Sequence, residues 1–260
     1  MSRIEKIFTD RSHKALIPFV TTGYPDIETT LKIVLLLARS GADIIELGVP
    51  FSDPLADGVT IQRASFKAIE NGVTTRICLE VVKQLREKID TPLVFMSYFN
   101  PLFQYGLERF CRDCGKAGVD GLIIPDLPPE EGVPLEEMAH RNGVDVIYLL
   151  APTSTDERIK LVVKHSRGFV YLVSVTGVTG ARSELPQDLA KFIGRVRKFT
   201  DKPLCVGFGI ATPEQARRVA ELADGVIVGS RLIQSIEEDP GLRAAANLVK
   251  EMRAAIDSDG

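Results

Sequence analysis

Short, almost uniformly apolar runs alternate with longer amphipathic segments along the whole chain. The runs fall at Ala15–Thr21, Asp43–Gly48, Pro92–Tyr98, Gly121–Asp126, Asp145–Ala151, Phe169–Ser174, Pro203–Gly209 and Gly225–Gly229. They are rich in Val, Ile and Leu and lack the in–out alternation of a strand with one wet face. They therefore predict parallel strands covered on both sides. The segments between them carry helix punctuation. Asp26 precedes an apolar-periodic stretch that stops at Ser40-Gly41, and Thr212-Pro213-Glu214-Gln215 reads as an N-cap, a proline at the first helical position and a capping box. Gly118 and Gly143 stand where helices should end.

Eight strands alternating with helices in 260 residues predict one β/α barrel spanning residues 1–260, the (β/α)8 or TIM barrel, with an additional N-terminal helix. An open doubly wound sheet is the rival. Its dinucleotide fingerprint is missing, because Gly207-x-Gly209 belongs to the seventh strand and has Thr212 where a third glycine is needed. No linker or shift of composition marks a second domain.

Composition narrows the function classes. A formal net charge of -3 and a pI near 5.8 disfavour non-specific nucleic-acid binding. The N-terminus lacks a signal-peptide core, and Ile33–Ala38 is too short to cross a bilayer, so the expected location is cytoplasmic, with no membrane partner. Cys111 and Cys114 form a lone C-x-x-C inside a helical pattern, without a second pair or a nearby histidine, and read as reduced thiols. His13, His140 and His165 are scattered, so no metal cluster is expected.

In a barrel the chemistry gathers at the C-terminal ends of the strands. The second strand ends Ile44-Ile45-Glu46-Leu47-Gly48, and alternation puts Glu46 on one face with Ile44 and Gly48. If that face points inward, burial raises the carboxyl pKa towards a range useful for proton transfer. A strand-end glutamate paired with an arginine is an equally good reading of that position alone. Asp57 lies on the following loop and can reach the same cavity, although Asp57-Gly58 is also an ordinary turn pair. A second constellation lies at the late strand ends: Gly177 and Gly180 after the sixth, Gly207 and Gly209 at the seventh, Gly229 and Ser230 at the eighth. Small residues there, followed by a helix start, suit a phosphate held by backbone N–H groups. The polar stretch 176–185 has the length of a lid, or of an ordinary surface loop.

The segment from Glu46 to Gly58, followed by Ile61-Gln62, resembles the signature of the tryptophan synthase α subunit family. The likeness extends to Pro18-Phe19-Val20-Thr21, Tyr98-x-Asn100-Pro101, Pro125-Asp126-Leu127-Pro128, Gly177–Arg182 and Gly207–Ile210. It implies a lyase that cleaves indole-3-glycerol phosphate to indole and glyceraldehyde 3-phosphate without a metal or organic cofactor. Catalysis would fall to Glu46 and Asp57. Phe19, Tyr98, Ile123 and Ile227 would surround the indole, and Tyr171 would hydrogen-bond Glu46 and orient it. Gly180, Gly209, Gly229 and Ser230 would bind the phosphate, with Thr179 on the lid aligning Asp57. The resemblance also implies a pyridoxal-phosphate β subunit as partner, in an α2β2 heterotetramer, meeting the loop that carries Pro50, Ser52, Asp53 and Pro54. A stand-alone lyase, a non-catalytic subunit and another phosphosugar barrel enzyme are the alternatives. The sequence departs from the family pattern at Val59, where proline is common, and at Val175. Val59 is expected to loosen the loop that carries Asp57.

Overall fold

The computed structural model describes residues 1–173, 188–207 and 209–258. Its strands are all parallel and are hydrogen-bonded in one continuous order that runs from Asp145–Ile147 back to the first (Ala15–Thr21), from the first to the last (Gly225–Val228), and from there back to Leu149–Leu150. Among the described residues nine strand segments occur, because the expected fifth strand is split at Tyr148 into Asp145–Ile147 and Leu149–Leu150. The first half pairs with Gly121–Ile123 and the second with Val170–Val173, so the ring closes through a single stretch of chain. The result is the eight-fold β/α barrel, and helix Arg3–Ile7 is the additional N-terminal one.

The strands are shorter than the apolar runs that predicted them. The second is Ile45–Gly48, the third Leu93–Met96, the sixth Val170–Val173 and the seventh Leu204–Gly207. Hydrophobicity continues past the last ladder bond because the flanking residues still face the helices or the barrel interior. The helix boundaries follow their caps. Asp26 accepts a hydrogen bond from the Thr29 N–H at 2.6 Å and opens helix Ile27–Arg39. Thr212 and Gln215 form the reciprocal capping box of helix Pro213–Ala220. Gly118 and Gly143 take positive φ after their helices.

Alternation along each strand divides the core in two. Outward-facing residues such as Leu16, Ile45, Leu47, Phe95, Leu122, Val206 and Val226 pack against the helices. Inward-facing residues, Ile17 and Phe19, Ile44, Val94 and Met96, Ile123, Ile147, Tyr171, Cys205 and Ile227, fill the barrel. Burying each large aliphatic side chain contributes roughly 1.5–3 kcal/mol, and this double layer is the main support of the rim above it. The N-terminal helix closes the opposite end. Ile4 is fully buried there, Arg3 pairs with Asp120 at 3.0 Å and Ser2 donates to Asp145 at 2.6 Å.

All four cysteines are buried and unpaired, and burial pushes the Cys111 thiol up to about 11, consistent with inert thiols on helix Leu107–Ala117. No group of His, Cys, Asp or Glu among the described residues is arranged to hold a metal ion. Among the same residues, no helix is long and apolar enough to cross a membrane.

Candidate active site

The parallel register sets the level of the site. Phe19 lies beside Glu46, and Glu46 beside Val94, on adjacent strands. One step further along, Gly48 pairs with Met96. Glu46 thus points into the barrel one layer above the aliphatic interior, as its phase with Ile44 requires. It is fully buried, and neither carboxyl oxygen has a hydrogen-bond partner among the described residues. Burial, and then the nearby charge of Asp57, raise its pKa from 4.5 to about 8. The alternative of an arginine-paired glutamate is thereby excluded within the described structure.

Asp57 reaches the same cavity from the loop above and is only 7% exposed. Burial raises its pKa from 3.8 to about 6, while a hydrogen bond from the Tyr98 hydroxyl works in the opposite direction. The same hydroxyl accepts the Ala56 N–H at 2.9 Å, and the Gln62 side-chain amide donates to the Asp57 carbonyl at 3.0 Å. Near neutral pH the two carboxyls therefore hold different states: Glu46 protonated and Asp57 ionised.

The cavity between them is lined by Phe19, Tyr171 and Ile227 on the barrel side and by Gly209, Gly229 and Ser230 at the late strand ends. Eight of the ten described residues expected at the site thus stand together: Phe19, Glu46, Asp57, Tyr171, Ile227, Gly209, Gly229 and Ser230. Gly209 has a φ of +81°, a left-handed conformation that suits glycine and turns the chain at the strand end. Gly229 is the N-cap of helix Ser230–Glu238, whose first residues, Ser230 and Arg231, line the cavity with it. Gly48 leaves room for a neighbour, since a Cβ there would lie 2.6 Å from the Phe19 ring.

Three expectations change. Tyr98 does not line this cavity; it borders a smaller adjoining recess that shares Phe19, Asp57, Ile61 and Met96. Ile123 is in register with Met96 but is fully buried in the inner core and does not line the cavity. Burial, and then the charges of Glu46 and Asp57, raise the Tyr171 pKa, yet Glu46 accepts no hydrogen bond from it. Gly180, Thr179 and Val175, with the stretch 176–185, lie outside the described residues.

On the loop before Asp57, Ser52 and Asp53 are exposed, but Pro54 is buried in the recess instead of facing outward, and Leu55 is 86% exposed in its stead. Val59 is the first residue of helix Val59–Glu70. The loop before it is fastened by Tyr98 and Gln62, so proline is not needed to define its end.

Met96, Ile61, Ala211, Arg231 and Gln234 also line the cavity and were not among the expected site residues. Met96 could have been found, since it is in phase with Val94 and in register with Gly48. The others come from helices and loops whose approach no strand pattern encodes.

A closed parallel barrel with two buried carboxyls and glycine-rich strand ends around one cavity defines a β/α-barrel enzyme. The family model described as "Tryptophan synthase alpha chain" matches residues 6–257. The tryptophan synthase alpha chain of Dehalococcoides mccartyi is 58% identical over 257 residues, covering 99% of this chain and 100% of that one. That of Geobacter sp. strain M21 is 53% identical over 244 residues, covering 93% and 91%. The solved Mycobacterium tuberculosis tryptophan synthase superposes with a TM-score of 0.92 at 40% identity, covering 99% of each chain. The Legionella pneumophila alpha subunit gives 0.91 at 39% identity, again over 99% of each. The chain belongs to the tryptophan synthase alpha chain family. Its role is that of the alpha subunit in tryptophan biosynthesis, a carbon–carbon lyase.

Proposed function

We propose that Glu46 and Asp57 divide the work of the retro-aldol cleavage of indole-3-glycerol phosphate. The observation that carries this reading is the pair of unlike carboxyls in one cavity, Glu46 raised to about 8 and Asp57 to about 6. Protonated Glu46 gives its proton to indole C3, which turns the ring into an electron sink. The carboxylate so formed takes the proton of the glycerol hydroxyl beside the breaking bond. That carbon–carbon bond then cleaves, its electron pair returns to the ring, and the alkoxide becomes the aldehyde of glyceraldehyde 3-phosphate. Glu46 ends protonated, as it began. Ionised Asp57 accepts the indole N–H and stabilises the positive charge that develops at nitrogen; it is held in place for this before the reaction starts.

Phe19 and Ile227 supply apolar walls for the indole, and Tyr98 acts through Asp57 and its loop, not by lining the cavity. Gly209, Gly229 and Ser230, with the helix that Gly229 caps, hold the phosphate. Gly180 and Thr179 are assigned to the phosphate site and the lid on the family pattern alone. The partner is a tryptophan synthase β subunit, which carries the pyridoxal phosphate, in an α2β2 assembly. This chain supplies no cofactor to the step, and all of residues 1–260 serve one domain in the cytoplasm. The exposed Ser52, Asp53 and Leu55 form part of the surface that meets β.

The test is indole release from indole-3-glycerol phosphate by the purified chain, with and without a β subunit. Cleavage that β accelerates supports the reading. Cleavage indifferent to β points to a stand-alone lyase, and no cleavage in either arm points to another phosphosugar substrate.

A further inference from the structure

Among the described residues lining the cavity, Arg231 is the sole cation, against two carboxyls. It occupies the second position of helix Ser230–Glu238, next to Ser230 and the capping Gly229. A cation in a first helical turn opposes the helix dipole, which favours negative charge there. Its guanidinium is drawn away from that end. Two of its nitrogens meet the two carboxylate oxygens of Glu238 at 2.9 and 3.2 Å. Glu238 lies seven residues on, about 10 Å along the helix axis. The pair is solvent-accessible, with side chains 31% and 57% exposed, so it is weak and readily exchanged. Helical side chains lean towards the N-terminus from their Cβ, so a change of rotamer returns this guanidinium towards the strand ends.

We propose that Arg231 is a phosphate-positioning residue for the substrate, held by Glu238 beforehand and transferred to the phosphate when the ester binds. This rests on the reading of the substrate as indole-3-glycerol phosphate. The physical need is a charge balance. A phosphate dianion entering a cavity that already holds ionised Asp57 meets like charge, and glycine backbones and one hydroxyl offer dipoles but no full charge. A planar guanidinium can meet two phosphate oxygens at once. Glu238 keeps it near the site and solvated until then, which limits its attraction to the Asp57 carboxylate.

Three variants decide the matter, read with three probes: indole-3-glycerol phosphate turnover, glycerol 3-phosphate binding and indole binding. Arg231→Ala is expected to raise KM and weaken glycerol 3-phosphate about tenfold, the scale of one lost charge-assisted bond, with kcat and indole affinity retained. Arg231→Lys recovers part of the loss, and Glu238→Gln, which frees the guanidinium, tightens glycerol 3-phosphate. Unchanged phosphate-ester binding in Arg231→Ala, or an equal loss of indole affinity, overturns the proposal. A wild-type chain that neither cleaves indole-3-glycerol phosphate nor binds glycerol 3-phosphate overturns the substrate reading itself.

Discussion

The Tyr98 hydroxyl bonds to the Asp57 carboxylate and at the same time accepts the Ala56 N–H at 2.9 Å. A residue expected to touch the indole instead joins a strand end to the loop that carries the charged group. This bond favours the ionised form of Asp57 against the burial that disfavours it. Removing it with Tyr98→Phe should raise the Asp57 pKa. The kcat/KM profile of the wild type is expected to be a bell with limbs near pH 6, where Asp57 ionises, and near pH 8, where Glu46 loses its proton. In Tyr98→Phe the acidic limb should move up while the basic limb stays. An unmoved acidic limb would remove Tyr98 from this role.

Glu46 also makes stability depend on pH. Its folded-state pKa of about 8 exceeds the ordinary 4.5, so between those values the folded chain holds a proton that the unfolded chain has released. Stability must then fall as pH rises through that window and level off above it. Asp57, raised from 3.8 to about 6, adds the same sign over a lower window. Glu46→Gln removes the larger contribution. Urea unfolding across pH 5–9 should show the variant gaining on the wild type as pH rises, on the order of a few kcal/mol at the alkaline end. A constant difference would mean that Glu46 is not buried as a neutral acid.

Val59 offers a test of the loop. It is 68% exposed at the first position of its helix, and Gly58 before it is extended, with φ -72° and ψ 160°. Both conditions accept proline, whose missing N–H is no loss at that position. Val59→Pro is expected to raise stability by about 0.4–1 kcal/mol through the unfolded state, with indole release unchanged. A large change in KM would show that the loop depends on freedom at this position after all.

Gly48 should tolerate no side chain. The 2.6 Å approach of a Cβ to the Phe19 ring means that Gly48→Ala must push the ring into the cavity. The expected result is about 1–3 kcal/mol of lost stability together with a raised KM. An alanine variant with unaltered KM would show that Phe19 can move without narrowing the site.

Much of this was legible from the residues. Apolar runs placed every strand, because a strand covered on both faces has few polar positions to confuse the reading. Asp26, Thr212 and Gln215 marked helix starts through side chains that bond their own backbone. Strand phase put Glu46 on one face with Ile44 and Gly48, the structure turns that face into the barrel, and the glycines at 209 and 229 fall beside it. What escaped depended on distances between segments. The burial of Ile123 away from the cavity, the partner chosen by Tyr98 and the burial of Pro54 are set by packing across the rim. Arg231 and Gln234 approach from a helix face, where no alternation points at a cavity. The split of the fifth strand at Tyr148, whose backbone N–H donates to the Ser166 hydroxyl at 2.9 Å, likewise involves a partner on another segment.

The central claim is that Glu46 moves the protons while Asp57 stays charged. Its most direct test is the rate of indole release by Glu46→Gln at pH 7 on saturating indole-3-glycerol phosphate, with retained glycerol 3-phosphate binding as the check on folding. The amide has the shape of the acid but cannot donate and recover a proton, so kcat should fall by about 10²–10⁴. Turnover near the wild-type rate would contradict the assignment.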